Sequence, residues 1–112
     1  MEFVRGFRKI SKADVGLAGG KGASLGEMTQ AGILVPPGFV VLSTAFDQFL
    51  KETGLDVEVD SILGSVNHKE MHTVENASEK IQALIRSAKM PKDIATEIKQ
   101  FHTKLKAPFV AV

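Results

Sequence analysis

Apolar positions along this chain change rhythm as it proceeds, and each rhythm predicts an element. Residues 2–7, Glu-Phe-Val-Arg-Gly-Phe, form a short extended pattern that reads as a strand, weakened at Gly6. Residues 11–20 carry no periodicity and read as a loop. From about residue 22 to residue 31 the spacing becomes helical, with Leu25, Met28 and Gly32 at i, i+3 and i+7. Gly32 is placed where a chain leaving a helix adopts a left-handed conformation. The prolines of Ile33-Leu-Val-Pro-Pro-Gly38 remove two amide donors and forbid a helix through the connector. Phe39-Val-Val-Leu42 is a continuous apolar run and predicts a buried strand.

The second half is helical almost throughout. Ser43 or Thr44 is a candidate cap, with Thr44 and Asp47 at capping-box spacing, and Phe46, Phe49 and Leu50 supply an apolar face that ends at Gly54. Leu55, Val59, Ile62, Leu63 and Val66 keep the 3.6-residue period, as do Ala77, Ile81, Leu84, Ile85 and Ala88. Pro91 suits the first turn of a last helix with stripe Ile94, Ile98, Phe101 and Leu105, and Pro108 is expected to end it. Phe109-Val-Ala-Val112 reads as a strand. The expectation is an α+β fold with a small sheet and several helices, in the order β-α-β-α-α-α-α-β. An apolar strand in last place also suggests a piece of a longer polypeptide.

Composition narrows the function classes. With 44% hydrophobic and 24% charged residues the chain can bury a core, and its length suits one domain. A net charge of +1 argues against a broadly basic nucleic-acid surface. The absence of cysteine removes disulfides, thiolate metal sites and a cysteine nucleophile. No segment has the length of a membrane span or the core of a signal peptide, so a soluble, cytoplasmic protein is expected, with no membrane or nucleic-acid partner.

The chemistry concentrates in Gly16-Leu-Ala-Gly-Gly-Lys-Gly-Ala-Ser-Leu-Gly-Glu-Met28. A P-loop would need glycine where Val15 stands and a hydroxyl residue where Gly22 stands, and a dinucleotide fingerprint would need glycine at Leu25. The physics behind those motifs persists, because glycines ahead of a helix let amides converge on an anion. Lys21 at that end opposes the helix dipole, which makes better sense with an anion to share. A glycine-rich turn with a solvated lysine is the other reading, and the pattern leaves both open.

Other candidates are weaker. His68 and His72 stand four apart, as on one helical face, but the spacing is not that of a zinc protease and no third ligand lies nearby. His102 reads as a partly buried helical residue. The serines lack a nucleophile elbow, and the acidic residues are dispersed. Neither a catalytic residue nor a metal ligand is assigned.

Taken together, Gly19-Gly-Lys-Gly-Ala-Ser-Leu-Gly-Glu-Met28, Ala31-Gly-Ile-Leu-Val-Pro-Pro-Gly-Phe-Val-Val41 and Ala45-Phe with Phe49-Leu50 resemble the N-terminal end of phosphoenolpyruvate synthases (pyruvate, water dikinases) and pyruvate, phosphate dikinases. The resemblance covers the whole chain, with its specific motifs in residues 14–50. It implies that residues 1–112 are the first part of an ATP-grasp-type ATP-binding domain. It further implies that Lys21 contacts the ATP phosphates, with Gly19, Gly20 and Gly22 forming the turn around it as a flexible cover. The implied parent converts ATP, pyruvate and water to AMP, phosphoenolpyruvate and phosphate through a phosphohistidine, with Mg²⁺ held outside these residues. Its partners are ATP and the phosphohistidine and phosphoenolpyruvate/pyruvate domains. In the family the Val-Ala-Val strand runs into an Arg-Ser-Ser segment whose arginine also engages ATP, and this sequence stops before it. The fragment alone is expected to be inactive. A pyruvate, phosphate dikinase, a rifampicin phosphotransferase-type front end, or a stand-alone nucleotide- or partner-binding module are the alternatives.

Overall fold

The computed structural model describes residues 2–112, which divide into two compact units. The first holds the chain up to Asp47 together with Lys92–Val112. Its sheet has two antiparallel strands, β1 (Val4–Gly6) and β2 (Phe39–Val41), in the register Val4↔Val41, Arg5↔Val40 and Gly6↔Phe39. Flanking amides extend the pairing, with Leu42 N donating to Phe3 O at 2.8 Å and Phe7 N to Gly38 O at 3.1 Å. A pair of three-residue strands is not stable by itself and must be packed on helices.

Those helices are α1 (Val15–Gln30) and α5 (Lys92–Leu105). Phe3, Val4, Ile10, Ala23, Leu42, Ala45 and Ile94 are buried, and Ile10, Val4 and Ile94 are closed off almost entirely. The Phe3 amide donates to Glu97 Oε2 at 2.7 Å, which ties α5 to the start of β1. The rings of Phe39 and Phe101 lie 5.7 Å apart and tilted, with Lys104 Nζ 5.3 Å from the centre of Phe101. α1 ends as its sequence foretells: Gly32 has φ 81°, and the Ile33 amide reaches back to Met28 O at 3.0 Å.

The second unit, Gln48–Pro91, is helical. It contains the later turns of α2 (Ser43–Thr53), then α3 (Leu55–Gly64) and α4 (Met71–Ser87). Phe49, Leu55, Val59 and Ala77 are its buried apolar residues, and α3 packs on α4. A left-handed Gly54 separates α2 from α3.

Among the described residues five α-helices and one small sheet make an α+β arrangement, with local differences from the sequence reading. Phe109-Val-Ala-Val112 forms no strand, because no third strand pairs with it among the described residues, and Phe109 is 90% exposed. The expected final β is therefore missing from the order. α5 stops at Leu105 rather than at Pro108, with Lys106 turning left-handed at φ 53°. Residues 11–20 are not a loop: 3-10 turns at Phe7–Lys9 and Lys12–Asp14 lead directly into α1. β2 is half-buried rather than enclosed, since a two-stranded sheet leaves one face open. α2 begins at Ser43, which puts Thr44 inside the helix rather than at the expected cap of a Thr44–Asp47 box, and Thr44 Oγ1 donates to Glu2 O at 2.6 Å.

Candidate functional site

A four-residue spacing, Ser11 to Asp14, builds the lead-in to α1. The Asp14 carboxylate accepts from the Ser11 amide at 2.9 Å, and Ser11 Oγ accepts from the Ala13 amide at 3.3 Å. This is a capping box, legible as Ser-x-x-Asp but passed over because the apolar rhythm is absent there. Arg5 Nη1 lies 3.4 Å from Asp14 and Arg5 Nη2 2.6 Å from Glu2, so one guanidinium links the strand to the cap. The hydrogen bond from Arg5 holds the Glu2 carboxyl below its ordinary value and raises Arg5 in turn.

At Gly19 the helix turns a corner. Its φ of 75° and ψ of 172° belong to a region that side chains forbid, so this position requires glycine for its backbone. Ser43 Oγ donates to Gly16 O at 3.2 Å on one side of the corner. On the other side residues 20–30 run as a straight helix fixed at its far end. Glu27 Oε2 accepts from the Lys12 amide at 3.0 Å, and Gln30 Nε2 donates to Ile10 O.

The predicted site residues separate into two groups here. Gly19, Gly20 and Lys21 are exposed at the corner, whereas Gly22 is buried. A Cβ on Gly22 would meet Val40 Cγ2 and Ala18 Cβ at 3.0 Å. Gly26, one turn further, is bare backbone against Ile10, whose Cβ would lie 2.6 Å from an added methyl. Gly20 has open space around it. Gly20, Lys21, Ser24, Leu25 and Met28 line a shallow, open groove of about 430 Å³ along the outer side of α1. No carboxylate lines that groove, and among the described residues Lys21 makes no ion pair. A lysine beside a helix start, with no acidic partner, offers positive charge to an anion.

The histidines do not gather. His68 sits in the turn before α4 and His72 in its first helical turn, so the two do not share a helical face. His72 Nε2 lies 3.6 Å from Glu70, and both are exposed. His102 is exposed rather than partly buried. Among the described residues no three His, Asp or Glu side chains come together to hold a metal ion, and no helix is long and apolar enough to cross a membrane.

Residues 15–112 match the family model described as pyruvate phosphate dikinase, AMP/ATP-binding domain. A probable phosphoenolpyruvate synthase of Methanocaldococcus jannaschii is 45% identical over 105 residues, covering 94% of this chain and 9% of the relative. One from Methanothermobacter thermautotrophicus is 42% identical over 105 residues, covering 94% and 15%. The phosphoenolpyruvate synthase of Pyrococcus furiosus is 35% identical over 139 residues, covering 96% and 17%. The chain thus spans between 9% and 17% of the length of these curated relatives.

Proposed function

The chain belongs to the pyruvate phosphate dikinase AMP/ATP-binding domain family, and from that premise we propose that it is the N-terminal, ATP-binding portion of a phosphoenolpyruvate synthase-like dikinase. The parent is a cytoplasmic phosphotransferase built on an ATP-grasp-type domain. It takes ATP, pyruvate and water to AMP, phosphoenolpyruvate and phosphate by way of a phosphohistidine carried on a further domain. The observation that carries the reading is Lys21, an exposed cation without a carboxylate partner, beside the Gly19 corner in a chain of this family.

Within this portion, Lys21 Nζ neutralises the phosphates of ATP. The amides of Gly20 and Lys21, exposed just after the Gly19 corner, converge on the same oxygens, with the buried Gly22 beneath them. Phosphoryl transfer depends on positioning and charge neutralisation, so one lysine and two amides supply only part of what turnover requires. Mg²⁺ supplies further neutralisation when bound with ATP, but this stretch offers it poor ligands. Asp14 is engaged by Ser11 and Arg5, and Glu27 by the Lys12 amide. Its protein ligands are proposed to lie elsewhere in the parent.

An amide NMR titration of the chain with ATP tests the site. Shifts are expected at residues 19–23 and should require much higher ATP concentrations in Lys21→Ala, whose fold stays intact. Loss of one charge-assisted contact corresponds to roughly 1.5–3 kcal/mol, or about tenfold to a hundredfold in affinity. ATP-induced shifts located elsewhere, or an unchanged Lys21→Ala titration, would remove Lys21 from the site.

A further inference from the structure

Two glycines of the motif face inward, and their contacts bear on where Lys21 stands. Gly22 lies against β2 and its own preceding turn at the limit of close approach: an added Cβ would sit 3.0 Å from Val40 Cγ2, 3.3 Å from Val40 Cγ1 and 3.0 Å from Ala18 Cβ. The far end of the same helical segment is held in place. Gly26 is pressed against the Ile10 backbone, the Glu27 carboxylate holds the Lys12 amide, and Gln30 holds Ile10 O. An atom added at Gly22 must push Val40 and Ala18 aside by a few tenths of an ångström or lift the start of the segment while its end stays held. When the start lifts, Lys21, the adjacent residue, moves with it.

We propose that Gly22 is a positioning residue for Lys21: its bare backbone, seated on the Val40 side chain, sets the height at which the lysine and its neighbouring amides meet the ligand. The proposal rests on the phosphate role of Lys21 given above and specifies how that site is held. It replaces a flexible cover with a fixed seat. Gly19 makes the corner, Gly22 sets the spacing, and Gly26 anchors the lever. A displacement of a few tenths of an ångström at the seat is enough to spoil contacts made at hydrogen-bond distance.

The test is ATP affinity, read from amide shifts in the 112-residue chain, with thermal melts on the same samples. Gly22→Ala is expected to weaken ATP binding about tenfold, and adding Val40→Ala to it restores part of the affinity by relieving the strand side of the contact, with Ala18 Cβ still in place. Val40→Ile presses on the same seat from the strand side, with Gly22 intact, and should weaken binding likewise. This second variant decides the matter even where Gly22→Ala fails to fold. An unchanged affinity in Val40→Ile overturns the proposal, as does a loss in Gly22→Ala that Val40→Ala leaves unrepaired. A wild-type chain that shows no ATP shifts at residues 19–23 defeats the phosphate reading itself, and the positioning role falls with it. Wild-type binding without rescue defeats the positioning role alone.

Discussion

The five glycines between Gly16 and Gly26 answer to different physical demands, and substitution to alanine separates them. Gly16 is helical with open space beyond it, so Gly16→Ala should stabilise by about 0.5–1 kcal/mol through the unfolded chain's lost freedom. Gly19→Ala forces a side chain into a glycine-only conformation and should cost about 1–3 kcal/mol. Gly26→Ala drives a methyl into the Ile10 backbone and should cost about 3 kcal/mol, as overpacking does. Urea melts of the three variants check the order, and equal effects would contradict it. Sequence showed that these positions are glycine and that Lys21 follows two of them. It could not show which glycines lack a side chain for steric reasons, because Ile10 and Val40 reach them only through the tertiary fold.

Also at this scale, Glu2 titrates below its ordinary value because Arg5 bonds to the charged form. A depressed carboxyl contributes stability that is present above its unfolded pKa and lost as pH falls through the folded one. Both side chains are partly open to water, so the loss should stay under about 1 kcal/mol and shrink in high salt. Glu2→Gln should flatten the acid limb of a stability-versus-pH curve by that amount.

At the scale of elements, helices α2 to α5 were legible because their apolar positions keep one period, and Gly54 and Gly32 mark chain breaks that any sequence reader can place. Starts and strands were harder. Thr44 looked like a cap, yet its hydroxyl serves the Glu2 carbonyl across the fold. Ser11 and Asp14 make the capping box, in a stretch with no rhythm to attract notice. Phe109-Val-Ala-Val112 has strand-like residues but no ladder partner among the described residues, and β composition alone does not make a strand. Asp14→Ala removes the box and the more distant of the two Arg5 partners, and should lower stability by about 1–2 kcal/mol. A thermal melt that does not move would show the 3-10 turn to be held by packing alone.

At the scale of the molecule, few large side chains are shut away from water while several apolar ones stand open. Ile94 is 1% exposed, whereas Leu34 is 99% exposed. Ile94→Ala should therefore cost about 2–5 kcal/mol, a large share of the 5–15 kcal/mol typical of a domain. Leu34→Lys should change stability by no more than about 0.5 kcal/mol. Chemical denaturation of both variants tests the contrast.

The bond from the Phe3 amide to Glu97 joins residues 94 apart in sequence, and Gln48–Pro91 forms the other unit between them. During synthesis β1 emerges before the helix that closes over it. The intervening helices can assemble from local contacts while the first strands wait with apolar faces uncovered. Closing so long a loop is slow, and the waiting interval is when such a chain is exposed to aggregation or to a chaperone. The Phe3–Glu97 link is thus a clock as well as a clasp: β1, paired through Arg5 with the Val40 that seats Gly22, is covered only after α5 has left the ribosome.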